Sequence, residues 1–300
     1  MSVRPLLALL LLVFTSSGLL YAAEPSGAEI MQGARERHDH FPYTFERQSM
    51  ILVDANGSRN VRRMRRFTRI EDDGQLNHLL VFDYPREIAG VALRLRRFPD
   101  GKVENDLYLP AYGAQLKESA AHSRGATFLG SDFTVRDLTP EVIEDYHYRR
   151  EDDLVIDDIE HFVVEATPKG QAIALATGYG MRRLFIRKEN LFPIRIDYYD
   201  RHERLFKRET RHDIRQVDGK MWRSNMILME NFRKQHRSLI KIDHRIFSID
   251  YVPETHFEDA WVLENRHLPG ADLTQPAATD ETSNSASEQN NNEPGSEPVE

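Results

Sequence analysis

The 300-residue chain contains no cysteine. This excludes a thiol nucleophile and any thiolate metal site, and it leaves the fold to be held by its core rather than by disulfides. It also leaves no thiol behind the N-terminal segment to receive a lipid. Positive charge is not in excess. Lys and Arg number 40 against 48 Asp and Glu, for a formal net charge of −8, a balance that argues against nucleic acid as the main partner. Long apolar runs are missing too. Leu6–Phe14 spans nine residues, well short of the ~20 that a membrane-spanning helix needs.

The two ends differ from the body. Met1–Ala23 has the order of a secretory signal: Arg4, an apolar core, Ser16-Ser17-Gly18, then Ala22 and Ala23 as small residues before a cut. From Pro269 to Glu300 the chain is mostly Pro, Ala, Thr, Ser, Asn, Glu and Gly, with almost no large apolar residue, seven acidic residues and no Lys or Arg. Such a segment offers too little apolar surface to offset its ordering entropy, which predicts a disordered tail. The expected organisation is a signal at 1–23, one domain at 24–268 and an acidic tail at 269–300. Setting aside +1 from the signal and −7 from the tail leaves the domain near neutral, at −2.

Within the domain, Ser26 followed by Glu29 forms a capping-box pattern and opens a short helix to His38, with Ile30, Met31 and Ala34 on one side. Beyond Tyr43 the period changes to two. About ten strands are expected, divided by turn signals at Asn56-Gly57, Asp72-Asp73-Gly74, Asp100-Gly101, Lys169-Gly170 and Asp218-Gly219. Val91, Leu93 and Leu95 alternate with Ala92, Arg94 and Arg96. Ile240, Ile242, His244 and Ile246 alternate with Leu239, Lys241, Asp243 and Arg245. Such alternation reads as one buried and one wet face. The expected fold class is mainly β: one curved antiparallel sheet forming an incomplete barrel. Pro110–Pro140, rich in small residues and carrying Tyr112, Phe128 and Phe133, is expected to lie over its mouth as a lid of loops and short helices.

Chemistry-bearing motifs are sparse. Twelve histidines include His38-Asp39-His40 and Arg211-His212-Asp213, but there is no His-Glu-x-x-His pattern, and most lie among Arg and Asp at wet positions. No Gly-x-Ser-x-Gly elbow occurs, and Gly130-Ser131-Asp132 reads as a turn. No metal, cofactor or catalytic residue is expected. The density of Arg in Arg59–Arg69 is high. Arg62, Arg63, Arg65 and Arg66 read either as a solvated strand face balanced by nearby acids or as a basic strip for lipid headgroups or an acidic partner surface.

Several stretches resemble the outer-membrane lipoprotein-sorting family in its broad, LolA-like sense. They are Gly57-Ser58-Arg59 running to Arg62-Arg63-Met64; Phe82-Asp83-Tyr84-Pro85 running to Leu93; Leu107-Tyr108-Leu109-Pro110; and Phe128-Leu129-Gly130-Ser131-Asp132-Phe133-Thr134 ending at Asp137-Leu138. Pro193-Ile194-Arg195 and Asp218-Gly219-Lys220-Met221-Trp222 fall where the family has comparable strands and a turn. The chain departs from the family at Asn105 and Asp106, where an aromatic is usual, and at Ala111–Glu118, where a basic run is usual. The resemblance implies a half-barrel with a helical lid and a hydrophobic cavity. It also implies a soluble periplasmic carrier of a lipid or lipidated cargo, working with an inner-membrane lipid or efflux-type exporter and an outer-membrane acceptor. The alternatives are a non-carrier accessory protein of an envelope exporter complex and, third, an envelope hydrolase.

On this reading Leu93, Leu95, Tyr108, Leu109, Phe128 and Phe133 face the ligand or its entrance. Gly130, Ser131, Asp132 and Asp137 shape the lid turn, with Gly130 supplying backbone freedom and Ser131 and Asp132 capping it. The tail generates the first test. Deleting 269–300 is expected to leave the melting temperature within error, as read by circular dichroism. A clear drop would mean that the segment docks on the domain.

Overall fold

The computed structural model describes residues 24–38, 41–110, 116–118, 127–139, 141–264 and 266–268. The expected signal, the acidic tail, His40 and Tyr112 lie outside them. The capping box forms as its chemistry requires. Ser26 N donates to Glu29 Oε2 at 2.8 Å and Glu29 N donates to Ser26 Oγ at 3.3 Å. Helix α1 (Gly27–His38) follows. A Cβ at Gly27 would lie 2.9 Å from the backbone of Arg149 and Arg150, so glycine lets the helix end sit directly on a strand.

The strands are β1 (Tyr43–Val53), β2 (Arg59–Ile70), β3 (Leu76–Tyr84), β4 (Ala92–Arg97), β5 (Val103–Tyr108), β6 (Leu116–Glu118), β7 (Tyr146–Ile156), β8 (Ile159–Pro168), β9 (Met181–Arg187), β10 (Pro193–Tyr199), β11 (Leu205–Asp218), β12 (Met221–Asn231) and β13 (His236–Ile246). They form one 13-stranded antiparallel sheet in the order β6-β5-β4-β3-β2-β1-β13-β12-β11-β10-β9-β8-β7. The order explains the rest of the architecture. The chain starts in the middle, winds outward to one edge at β6, must then reach the far edge at β7, and winds back until β13 pairs with β1. The β6–β7 connection therefore has to span the sheet.

The sheet curls around that connection. Leu93 on β4 and Val164 on β8 lie far apart in strand order, yet both join one buried cluster with Phe128, Phe133 and Leu138 of the connection. Ile30 and Met31 of α1 complete this inner core. The sheet is not closed into a barrel. The mainly-β, incomplete-barrel expectation holds, with thirteen strands in place of about ten. Strand β6 arises inside the stretch expected to be all lid.

Two expectations are corrected. Lys169-Gly170 does not turn a hairpin: Gly170 precedes a second helix, α2 (Gln171–Thr177), which ends at Gly178 in the left-handed region, φ 77°, before β9. Nor does the outer face of β1–β5 remain wet. A second cluster of Phe45, Phe67, Leu79, Val81, Ala92 and Tyr108 is covered by Val252, Phe257, Trp261 and Val262, the last two on helix α3 (Asp259–Leu263). Arg94, expected in solvent, is 2% exposed. It donates to Asp106 Oδ2 at 2.7 Å and to the Phe257 carbonyl at 2.9 Å. Arg65 pairs with Asp83 at 2.8 Å and holds the His267 carbonyl at 2.6 Å. Gly90 (φ 84°) packs where a Cβ would meet Leu268 at 2.5 Å. These contacts bind the chain's last described turn to the sheet.

Several histidines are buried in this framework, which makes stability pH-dependent. Burial, with repulsion from Arg223, lowers His38 to about 4. Burial, with repulsion from Arg65, lowers His256 to about 4. The unfolded chain takes up these protons near the ordinary 6.5 whereas the fold resists until about 4. Their stabilising contribution is complete above 6.5 and is lost as pH falls towards 4. The urea midpoint is expected to drop between pH 7 and pH 4.5, and His256→Phe is expected to flatten that slope. An unchanged slope in the variant would remove His256 from the account.

Candidate functional site

The site is the space between the inner face of the sheet and the crossing segment 127–139. Thr127 bridges to Thr134, closing a small loop around one 3₁₀ turn, Phe128–Gly130, and a second such turn, Arg136–Leu138, follows it. Gly130 adopts φ 74° at its tip. Ser131 Oγ donates to the Phe128 carbonyl at 2.8 Å, tightening the turn. Phe128 packs against Phe82 at 5.8 Å between ring centres, and Phe133 is 1% exposed. The segment is thus a plug seated in the half-barrel.

Buried charge holds the plug. Asp132 is 1% exposed. Its Oδ2 accepts from Ser238 Oγ at 2.8 Å and stands 2.5 Å from His236 Nδ1, both on β13. Its backbone N donates to Ser238 Oγ at 2.9 Å. Lys207 of β11 is 2% exposed and donates to the Asp132 carbonyl at 2.7 Å and to Asp137 Oδ2 at 3.2 Å. Tyr179, delivered by the end of α2, donates to Asp137 Oδ2 at 2.5 Å and accepts from Lys207 Nζ at 2.7 Å. Burial, then the negative charge of Asp137, pushes the Tyr179 hydroxyl well above its usual range, so it stays a donor. A buried ammonium is tolerated only when its hydrogen bonds are met, and here a carboxylate, a carbonyl and a phenol meet them.

Ser238, Asp132 and His236 do not form a nucleophile relay. The carboxylate stands between hydroxyl and imidazole, whereas a relay needs the imidazole next to the hydroxyl. Among the described residues no group of three or more His, Asp or Glu side chains is arranged to hold a metal ion. His38 serves structure: its Nε2 lies 3.0 Å from the Asn190 carbonyl, and its Nδ1 accepts from Trp222 N at 3.2 Å.

Below the plug lies a cavity of about 250 Å³. Leu80, Phe133, Leu138, Ile196, Ile227 and Ile240 give it apolar walls, and Gln48, Arg66, Arg136, Arg182, Glu209 and Arg211 give it polar ones. A second cavity of about 200 Å³ borders Lys207 and shares Thr177 and Tyr179 with the first.

The expected site residues divide between the two faces. Leu93 is fully buried on the inner face, Leu95 is 2% exposed two residues along the same strand, and Leu109 packs on the inner core. Phe128, Phe133, Gly130, Ser131, Asp132 and Asp137 all sit in the plug. Tyr108 does not. It belongs to the outer cluster, edge-on to His267 at 5.1 Å between ring centres, because its neighbour Leu109 takes the inward position. The Arg strip also divides, since consecutive strand positions alternate. Arg63 is exposed and Arg65 is tied under the C-terminal segment, while Arg66 lines the cavity and Arg62 lies near Gly130. These four side chains do not form one basic strip. Lys207, Tyr179, His236 and Ser238 gave no signal in the sequence, because a lysine within Phe206-Lys207-Arg208-Glu209 looks like any solvated strand position.

Removing the ammonium while keeping the side-chain volume tests this arrangement. Lys207→Met leaves Asp137 buried beside an apolar group, and it is expected to cost about 3–5 kcal/mol in urea unfolding. A loss below about 1 kcal/mol, the scale of a surface pair, would show that the plug does not depend on Lys207.

Comparison with known proteins agrees with this geometry. A family model described as an uncharacterized-protein family matches residues 74–262, more than half of the chain. No curated protein matches the chain significantly. Among solved structures, an outer membrane lipoprotein-sorting protein domain from Vibrio parahaemolyticus is 25% identical, with TM-score 0.72, covering 79% of this chain and 98% of that one. A DUF1329 family protein from Desulfovibrio piger is 21% identical, with TM-score 0.67 over 77% of this chain and 98% of that one. A LolA superfamily protein from Nitrosomonas europaea is 17% identical, with TM-score 0.62 over 78% and 98%. The chain belongs to the uncharacterized-protein family whose model spans 74–262, and it shares the fold of the lipoprotein-sorting domain and of the LolA superfamily structure.

Proposed function

We propose that the protein is a periplasmic carrier that takes up a lipid, an acyl chain or a lipidated protein between its sheet and its plug. The observation that carries this reading is the plug itself. An apolar inner face spread over most of the sheet is sealed by a segment held through buried polar contacts rather than through regular sheet or helix. A sheet needing only a core would be sealed more stably by apolar residues, since a buried ion pair stabilises little against a hydrophobic replacement.

The physics of transfer favours the same reading. Each CH₂ shielded from water contributes about 0.8 kcal/mol, so an acyl chain leaves a membrane only for an apolar shelter. The larger cavity, about 250 Å³, is slightly smaller than the roughly 300–1,000 Å³ of ligand pockets. Loading a long chain therefore requires the plug to withdraw. Because both cavities border Tyr179, withdrawal at the Lys207–Asp137–Tyr179 knot joins them. The Asp-centred order of Ser238, Asp132 and His236 fits anchoring, not catalysis. An inner-membrane exporter as donor and an outer-membrane acceptor complete the proposed route.

Native mass spectrometry of protein freshly isolated from a periplasmic extract tests the reading. The expected result is a mass excess that dissociates as lipid or acyl chain, and that is lost in Leu93→Asp protein of unchanged circular dichroism. Ligand-free protein, or retention of lipid by folded Leu93→Asp, would contradict it and favour an accessory role exerted through the outer surface.

A further inference from the structure

The cavity beneath the plug is lined by seven charged side chains, and six of them are matched. Arg182 pairs with Glu141 at 2.6 Å, Arg211 with Glu209 at 2.8 Å, Arg136 with Asp145 at 3.3 Å and Asp137 with Lys207 at 3.2 Å. Arg66 is the seventh. Among the described residues it makes no ion pair and no hydrogen bond.

Its surroundings supply only a shared counter-charge, the carboxylate of Glu46, whose attraction reaches Arg66 without a hydrogen bond between them. Arg66 stands opposite Glu46 in the β1–β2 register, but the Glu46 carboxylate is already taken by Arg245 at 2.5 Å and by Gln48 at 2.5 Å. On its other side β3 offers Leu80. Arg211 and Arg245 are near enough to repel it. Arg66 is half-buried; its guanidinium keeps its charge there, and a charge partly withdrawn from water without a hydrogen-bonded partner is unfavourable. Here it also has the shape for bidentate binding of an oxyanion, while Leu80, Ile227 and Ile240 provide apolar wall in the same cavity.

We infer that Arg66 is the recognition point for an oxyanion, a carboxylate or phosphate, at the head of the amphiphile that occupies the half-barrel. This rests on the carrier reading and narrows it: the cargo enters head-first, its negative group against Arg66 and its chain along the apolar inner face. Arg66 thereby gains a hydrogen-bonded anion of its own in place of a share in Glu46, and a neutral lipid of the same length gives it none. The two sources of such an anion, a lipid head and a free inorganic ion, are separable by experiment.

The test titrates delipidated full-length protein with dodecanoate, dodecan-1-ol and inorganic phosphate by calorimetry, in wild type, Arg66→Gln and Arg66→Met. Dodecanoate is expected to bind wild type at least about tenfold more tightly than the alcohol, the scale of one charge-assisted hydrogen bond. In both variants that gap is expected to collapse while the alcohol still binds. Melting temperature is expected to hold, since the half-buried guanidinium removed makes no hydrogen bond that the fold would lose. A purely structural arginine would instead lower the melting temperature and leave the acid-to-alcohol ratio unchanged, which would overturn the inference. Equal binding of acid and alcohol to wild type would also overturn it, while leaving the carrier reading intact. Phosphate binding that depends on Arg66, with neither amphiphile bound, would keep the anion site and refute the carrier. No binding of any of the three would refute both.

Discussion

A curved antiparallel sheet that does not close has an inner face which water cannot be allowed to wet, and here the chain's own path provides the filling. Because the strands run outward from β1 to one edge and return from the other, the connection between edges is forced across the opening. Everything distinctive about the molecule follows from that crossing. Between residues 127 and 139 the connection has only the Thr127–Thr134 bridge, so its buried backbone polar groups must find partners elsewhere, since buried groups cannot go unpaired. Side chains of the sheet supply those partners: Ser238 for the Asp132 N–H and Lys207 for the Asp132 carbonyl.

The inner and outer faces are stabilised differently. On the outer face of β1–β5, aromatic and aliphatic side chains meet Trp261 and Val262 in an apolar layer edged by Arg65–Asp83 and Arg94–Asp106 pairs. On the inner face, the plug combines Phe128 and Phe133 with a knot of buried charge. An apolar seal is strong and indifferent to geometry. A charged one is specific and can be replaced by another polar partner, which suits an element that the proposed carrier role requires to leave and return to the same seat. The outer layer is the scaffold and the inner plug is the part that the proposed function moves.

The local rules read well from the sequence. The Ser26–Glu29 box, the turns at Gly57, Gly74, Gly101 and Gly219, and the inward pair Leu93 and Leu95 follow from contacts close along the chain. The Phe128–Leu138 stretch was legible as a crossing segment and not a strand because its small residues and isolated aromatics broke the strand pattern. What was not legible depends on the second layer. Tyr108 and Arg94 read as mouth and solvent positions because nothing near them announces that residues 252–268 will cover that face. Lys207 and Asp132 lie 75 positions apart, and their meeting depends on the edge-to-edge crossover, which alternation along single strands does not encode. The Arg62–Arg66 run carried its own ambiguity, since strand geometry sends neighbours to opposite faces.

The central claim is that cargo and plug compete for the same interior. Hydrogen exchange of the amides of residues 133–138, followed by mass spectrometry in delipidated and lipid-loaded protein, tests it most directly. The account predicts slow exchange in the empty protein and faster exchange once lipid is bound, with the outer layer around Trp261 unchanged. Equal protection of 133–138 in both states, with lipid demonstrably bound, would contradict it.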